Sequence, residues 1–365
     1  MPEAGSQRRR TQSRRIAALI LCLSLVLGAI SAPIRAEAQA SGDLPGWRAA
    51  LASGSDRLAL FTFGRLGPDV PRAAIAELSA RTGGAHRAGE GFQIIARRVS
   101  AQPILSYSRN FNGGLANENI TLGGIDFAVD PADRAKSGVV VGASVLGGVI
   151  GSYAGGSILR VSGLVRTEAL PAEDLRRNRL ALSVCAEHFV GGWTWLDACG
   201  GVGVLDRNYG DTLRQQNASV GLTQIAHMGG LDQQVGASLT LTDQGYGRQQ
   251  GILARWLAAV PSVGAVGIDA HANRRFDGEL TRLRQINLSL ARPLFDRDVV
   301  FEFEAARDGG ISFFGDKRTD DTLILSVEAA VTDKFSVEAA IGRRNSSIDL
   351  YDESLFSLNV ELTDW

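Results

Sequence analysis

The chain has 365 residues, of which 21% are charged and 45% hydrophobic, with 43 glycines and a formal net charge of −1. Without the six arginines and two glutamates of residues 1–40, the remaining chain carries a net charge near −5, which argues against a nucleic-acid partner. The hydrophobic content is ordinary, but it does not exclude a membrane barrel, because only alternate strand residues of such a barrel face lipid.

Residues 1–40 have the pattern of an export signal peptide. The basic residues Arg8–Arg10, Arg14 and Arg15 precede an apolar run over 16–30, and alanines at 36, 38 and 40 supply small-residue cleavage sites. A transmembrane anchor is the alternative, but the apolar run is shorter than the roughly 20 residues that a span requires. We therefore predict cleavage and an exported chain.

Residues 41–100 are predicted to form a small periplasmic segment. The stretch 57–64 (RLALFTFG) has the composition of a strand, 71–82 has helical spacing with a glycine pair after it, and 92–99 is compatible with a second strand. Such a segment could be a docking module, a partial plug or only a linker.

From Ile104 onward, apolar and polar residues alternate in segments of roughly ten residues. Between Leu323 and Val331, for example, one face is apolar and the other carries Ser326 and Glu328. A period of two is typical of strands. We predict about fourteen strands, over 104–112, 139–152, 157–168, 175–190, 193–206, 212–226, 231–243, 250–260, 264–274, 281–292, 299–308, 321–332, 335–345 and 355–365.

The connections between these strands alternate between short and long. Short connections such as Gly191-Gly192 and Gly229-Gly230 are followed by longer polar ones such as 242–249 and 308–320. Outer-membrane barrels have short periplasmic turns and long external loops. The predicted fold is therefore all-β, a transmembrane antiparallel barrel over 101–365 in the bacterial outer membrane, surrounded by outer-membrane lipid.

Two cysteines, Cys185 and Cys199, lie on consecutive predicted strands joined by a glycine turn. Both fall on the polar face, almost equally far from the turn. Because exported chains meet an oxidising compartment, we predict a cross-strand disulfide; two free thiols facing the lumen are the alternative. Two thiols alone do not complete a zinc site, so no metal is predicted.

The polar faces of the strands should line the lumen. One side is richer in arginine and the other in glutamate, and opposed charges could order water and select solutes; a solvated lumen without selectivity is the alternative. The candidate pore-lining residues are Arg160, Arg166, Arg179, Arg255, Asp269, His271, Glu302, Glu304, Glu328, Glu338 and Glu361.

An enzymatic function is not indicated. Asp269 and His271 share a face and form the best acid–base pair available, but no nucleophile accompanies them. Phosphate-binding loops, zinc spacings and calcium loops are absent from the sequence, so no cofactor is predicted.

Aromatic residues are concentrated near the strand ends, as expected at the two membrane interfaces. Near the inner turns they are Phe189, Trp193, Trp195, Phe295, Phe335 and Trp365. A terminal aromatic residue such as Trp365 resembles the signal by which the barrel assembly machinery recognises its substrates. Here Phe356, Leu358, Val360 and Leu362 are out of phase with Trp365 unless a bulge intervenes near Thr363.

The barrel region resembles the C-terminal barrel of the surface lipoprotein assembly modulator family. The similar motifs are SRNFNGG (108–114), ITLGG (120–124) and CAEHFVGGWTWLDAC (185–199), and the resemblance covers about residues 100–365. It implies a fourteen-stranded barrel that helps lipoproteins reach the bacterial surface. Family members carry a helical-repeat domain before the barrel, which residues 41–100 do not show.

Three functional hypotheses follow. The first is a conduit or assembly and translocation factor for exported or surface-displayed proteins or lipoproteins. The second is a porin-like diffusion channel, and the third is a structural barrel whose loops bind partners.

Overall fold

A computed structural model describes residues 46–66, 72–115, 118–122, 125–245, 247–275, 280–294, 297–311, 315, 317–332, 335–348 and 351–362. The predicted signal peptide at 1–40 and the terminal Trp365 lie outside these residues. The compact unit that contains the barrel runs from Gly46 to Trp365.

In the part of the chain that the structure describes, three α-helices precede the barrel: α1 (Gly46–Ala52), α2 (Asp56–Leu66) and α3 (Arg72–Arg81). The strands are β1 (Gln93–Ser108), β2 (Asn119–Leu122), β3 (Ile125–Ala128), β4 (Gly138–Ala154), β5 (Ser157–Leu170), β6 (Leu175–Gly191), β7 (Thr194–Arg207), β8 (Leu213–Met228), β9 (Leu231–Asp243), β10 (Arg248–Val260), β11 (Gly264–Asn273), β12 (Thr281–Leu294), β13 (Arg297–Ile311), β14 (Lys317–Thr332), β15 (Phe335–Ser346) and β16 (Glu353–Leu362). None of the helices among the described residues is long and apolar enough to cross a membrane.

Fourteen strands form one antiparallel sheet in the order β1, β4, then β5 to β16 in sequence, and β2 and β3 form a separate hairpin within the loop between β1 and β4. The end strands β1 and β16 contact each other, so the sheet curls into a barrel. The predicted fold class and the strand number are confirmed. Apart from the β2–β3 hairpin, each strand pairs with the strands that come before and after it in the sequence. This up-and-down order is the simplest topology for a barrel.

The outer surface of the barrel is apolar. Leu239, Ile252 and Ile341 are 61%, 55% and 58% exposed. Leu239 alternates along β9 with the less exposed polar residues Ser238 and Thr240. A water-soluble protein rarely leaves so continuous an apolar surface uncovered, whereas an outer-membrane barrel presents such a belt to lipid. The chain is therefore a barrel of the bacterial outer membrane.

The lengths of the connections fix its orientation. β4–β5, β6–β7, β8–β9 and β10–β11 are joined by tight turns, and several of these turns contain residues with positive φ, including Gly156, Gly192 and Gly229. The connections β12–β13 and β14–β15 are also only two residues long, whereas the connections that alternate with these turns have four residues or more, above all residues 109–137 between β1 and β4. By the usual rule for these barrels, the tight turns lie on the periplasmic side.

The prediction of a strand at 57–64 is wrong, because these residues belong to α2. Their apolar residues have helical spacing: Leu58, Ala59, Thr62 and Phe63 are buried on one side of the helix. The β-branched and aromatic composition suggested a strand, but tertiary packing decides the conformation of such a short segment.

The barrel also begins earlier than predicted. Residues 92–99 are not a separate periplasmic strand, and the first barrel strand does not start at Ile104: both stretches belong to β1, which begins at Gln93 and pairs with β4 along its length. Pro103 interrupts the sequence pattern, but an edge strand tolerates a proline because its N–H is not needed on the open side.

Candidate functional site

The helices α1 and α2 lie against the inner wall of the barrel near its periplasmic turns. α1 contacts β10, β11 and β12, and α2 contacts β8 and β9. Ala49, Ala50, Leu58 and Phe63 are at most 2% exposed. The described residues 46–66 and 72–81 therefore form a helical plug, one of the three possibilities that the sequence left open for this segment.

The wall provides space for α1 through small side chains. Ala265 of β11 is paired with Ala259 of β10 on one side and with Ala291 of β12 on the other. Ala259 and Ala265 are 3% and 2% exposed. This row of three alanines lies on the strands that α1 contacts, so the helix can approach the wall closely.

The strongest polar anchor of the plug is Arg57 of α2. Its guanidinium forms an ion pair with Glu187 of β6, and both side chains are mostly buried, at 12% and 18% exposure. It also lies over the ring of Trp195, with Cζ 4.3 Å from the ring centroid. Burial lowers the pKa of Arg57, while the carboxylates of Glu187 and Asp197 oppose that shift. Arginine keeps its charge under such conditions, so the pair is a buried salt bridge.

Weaker contacts anchor the opposite side of α2. Ser55 Oγ donates a hydrogen bond to Gln234 Oε1 of β9 at 2.7 Å. Arg65 lies 3.2 Å from the Asp232 carboxylate, which also contacts His227 Nδ1 at 2.7 Å. The plug is thus held by lumenal residues of β6, β7 and β9.

Aromatic residues near the inner turns support the plug rather than a membrane interface. Trp195 is 4% exposed, and its Nε1 donates to the Gly156 carbonyl oxygen at 2.8 Å. Trp193 packs edge-on against Phe61 of α2, with centroids 5.0 Å apart. The prediction that these tryptophans face the interface is therefore wrong, whereas Phe335, 42% exposed, points outward as expected.

The segment after α3 is fixed to the β4–β5 turn. The Gly156 N–H donates to the Gly83 carbonyl oxygen at 2.9 Å. Gly83 has a φ of 74°, and a Cβ there would lie 2.9 Å from Ile158 Cγ2. Both its conformation and its surroundings require glycine.

Arg81 of α3 also lies 3.0 Å from Asp56 of α2, which joins the helices to each other.

The predicted arginine side of the lumen is largely neutralised. Arg160 lies 3.6 Å from Glu187, and Arg166 lies 2.8 Å from Glu168. Arg179 is paired with Arg166 in the strand register and is exposed. Arg255 of β10 lies 3.7 Å from Asp269 of β11. The arginines line the lumen, but most have an adjacent carboxylate.

The glutamate side is less compensated. Glu328 and Glu338 face each other directly across β14 and β15, an arrangement of like charges that is destabilising unless water screens it. Glu302 of β13 interacts electrostatically with both. Glu304 differs, because Arg282 lies 3.0 Å away. The backbone of Glu361 is paired with Ser336.

Cys185 and Cys199 form a disulfide between directly paired positions of β6 and β7. The alternative of free thiols is therefore wrong. Cys185 is two residues from Glu187, and Cys199 is two residues from Asp197. The disulfide thus joins the two strands that supply the Arg57 anchor.

Asp269 and His271 lie on the same face of β11, but the nearest partner of Asp269 is Arg255. Within the described ranges, no group of three or more His, Cys, Asp or Glu residues could hold a metal ion.

At the outer mouth, the loop after β1 folds inward on one side. Phe111 is 2% exposed and packs with Val140 and Leu170 in an apolar cluster that Leu175 and Tyr209 extend. Tyr209 donates its hydroxyl to the Phe111 carbonyl oxygen at 3.2 Å. The base of this loop therefore covers the lumen beside β4 to β7.

Sequence reasoning missed the anchors Arg57, Glu187 and Asp232. The two-residue period places Glu187 on the same lumenal face as Cys185, so its inward orientation could be predicted from the sequence. Its partner could not be predicted, because the composition of 57–64 favours a strand and does not place Arg57 near Glu187.

The fold and this site define a class: outer-membrane β-barrels whose periplasmic mouth holds a helical plug. No protein-family model and no curated protein matches the chain. Among solved structures, it is similar to OprB of Pseudomonas putida at 7% identity and a TM-score of 0.42, over 73% of this chain and 94% of that one.

Two autotransporter barrels are also similar. The β domain of the Bordetella autotransporter BrkA matches at 10% identity and a TM-score of 0.31, over 73% of this chain and 99% of that one. The translocator domain of NalP from Neisseria meningitidis matches at 12% identity and a TM-score of 0.28, over 80% and 95%. These scores are low, so the class assignment rests on the strand ladder and the apolar belt.

Proposed function

We propose that the chain is a gated conduit of the outer membrane for exported molecules, with α1 and α2 closing its periplasmic mouth at rest. The observation that carries this proposal is the way the plug is held. Its hydrophobic contacts are those of two short helices, and its side-chain anchors are a few polar contacts to Glu187, Gln234 and Asp232. A cargo that binds the helices or competes for these anchors would release them.

The position of the plug supports regulation from the periplasm. The helices lie near the tight turns: a Cβ placed on Gly46 would lie 3.7 Å from Cγ of Pro261 in the β10–β11 turn. Molecules leaving the cell meet this end first. The resemblance to barrels that deliver lipoproteins to the surface makes lipoproteins one class of cargo to test, alongside secreted proteins without lipid.

The test is to fix the plug in place in the full-length protein. Ser55 and Gln234 form a hydrogen bond across the plug–wall interface, so a Ser55→Cys/Gln234→Cys protein can be joined by a short bismaleimide. We expect the joined protein to show fewer openings in planar bilayers than the same protein treated with a monofunctional maleimide. A matched control joins Ser219→Cys to Thr240→Cys, two paired positions on the lumenal face of β8 and β9, which leaves the plug free. Equal conductance in the joined and control proteins would contradict the proposal.

A porin-like diffusion channel is the second candidate, and the uncompensated carboxylates favour it. Among the described residues, Glu302 and Glu328 have no cationic side chain within ion-pair distance. Negative charge along a water-filled lumen attracts cations. If ions cross the open barrel, we expect cations to cross faster than anions, and the reversal potential in a salt gradient measures this ratio. Anion preference would count against the candidate.

A further inference from the structure

The two end strands of the sheet meet in a seam that differs from every other strand pair. β1 and β16 contact each other, but within the part of the chain that the structure describes, the backbone ladder does not continue from one to the other. β1 also carries Pro103, which has no N–H to donate to a neighbouring strand. The seam is therefore the weakest line in the barrel wall.

At the extracellular end of this seam lies a cavity of 530 Å³. Its lining includes residues from both faces of the wall. Arg166 and Asn359 point into the lumen, where Asn359 donates to Glu338 Oε2 at 3.1 Å. Tyr107 and Phe356, each 43% exposed, belong to the outward face. At the junction where the described parts of β1 and β16 share no backbone ladder, this cavity therefore borders both the lumen and the outward face of the wall.

The lining of this cavity has an excess of positive charge, with five arginines, among them Arg318, against three carboxylates, those of Glu168, Asp352 and Glu353. Arg166 and Arg177 share one carboxylate, with contacts of 2.8 and 2.7 Å to Glu168, whose side chain is 7% exposed. Arg344 is neutralised by Glu353 at 3.1 Å, and Arg109 is exposed at the cavity's rim. Arginine guanidinium groups match phosphate oxygens in charge and geometry.

We propose that the seam binds one anionic membrane lipid. Its phosphate-bearing headgroup contacts Arg166 and Arg109 inside the cavity, and its acyl chains extend outward past Tyr107 and Phe356 into the bilayer. The cavity has the size of an ordinary small-molecule site. A lipid fits better than a free anion, because the cavity also borders the apolar side chains of the outward face, including Phe356. This inference does not depend on whether the plug moves.

The experiment measures lipid retention by the full-length protein in native mass spectrometry. Phosphatidylglycerol and phosphatidylcholine with identical acyl chains are added to separate samples. We expect the anionic lipid to be retained about 10-fold more, and Arg166→Gln to remove about that preference, since a charge-assisted contact accounts for it. The matched control is Arg179→Gln, because Arg179 is paired with Arg166 in the register but does not line the cavity. Heat-modifiable migration in gels confirms that each variant is folded.

The site is wrong if both lipids are retained equally, or if the two substitutions have the same effect. Displacement of phosphatidylglycerol by inorganic phosphate would show an anion site without a lipid component, and would equally overturn the proposal. A second measurement needs no variant: phosphatidylglycerol with a photoreactive acyl chain should label peptides that contain Tyr107 or Phe356. Labelling confined to the opposite wall, at β8 to β10, would overturn it.

Discussion

The two sides of the lumen use charge in different ways. On the side of β5 to β9, carboxylates are buried and occupied: Glu187 binds Arg57 and Arg160, and Asp232 binds Arg65. On the side of β13 to β15, Glu302 and Glu328 are exposed to the lumen, and Glu328 faces Glu338. Residues of one type thus have a structural role on one side and shape the electric field on the other. What separates them is whether a helix packs against that part of the wall.

Substitution of Arg57 should give the largest effect on the side of the lumen that binds the plug. Arg57→Ala leaves Glu187 mostly buried with only the partly exposed Arg160 nearby, and we expect the plug to lose about 3–5 kcal/mol of binding to the wall. The measurement is protease cleavage within residues 46–81 of the folded barrel, together with channel opening in bilayers; both should increase.

Arg65→Ala is the matched control, because Arg65 also bridges α2 to the wall but is 41% exposed. A pair this exposed contributes about 0.2–1 kcal/mol, so cleavage should rise only slightly. If the two variants are cleaved at the same rate, the buried and exposed anchors do not differ in the way that the structure indicates.

A smaller effect is expected on the acidic side. Glu328→Gln combined with Glu338→Gln removes two neighbouring charges, and an interaction of about 1 kcal/mol with a passing ion corresponds to a roughly fivefold fall in the cation-to-anion permeability ratio. The reversal potential reports this change. Plug stability should not change, because in the described structure neither residue forms an ion pair with α1, α2 or α3.

Arg160→Gln is the control for that experiment. Its partner Glu187 retains Arg57, so removing Arg160 changes a compensated group, and the permeability ratio should stay within about twofold. A larger shift from Arg160→Gln than from the double glutamate variant would reverse the assignment of the two sides.

Much of the barrel could be predicted from the sequence, because strand periodicity and turn length are local properties of the chain. The two-residue period assigned Cys185 and Glu328 to the lumenal face, and the short connections located the turns. The disulfide could be predicted because both cysteines lie on the polar face of their strands and almost equally far from the turn that joins them. These inferences need only strand geometry, which repeats from residue to residue.

The position of the plug could not be predicted from the sequence, because it depends on contacts between distant parts of the chain. The composition of α2 suggests a strand, and nothing near Arg57 in sequence indicates a carboxylate partner. Trp195 likewise occurs where an interfacial aromatic residue is expected, and only the three-dimensional position of α2 shows that it faces inward. The seam was hidden for a related reason: whether the first and last strands share a ladder is a property of the closed ring.

The plug precedes the barrel in the chain, yet Ser55 bonds to Gln234, which lies 179 residues later. Closing a loop of this length costs conformational entropy, so we expect such contacts to form after the intervening chain has been ordered. The strands from β6 to β12 must therefore be assembled before the helices have a surface to bind. Biogenesis of this protein then has a natural sequence: the barrel inserts while open, the Cys185–Cys199 hairpin completes the site for Arg57, and closure of the mouth is the final step.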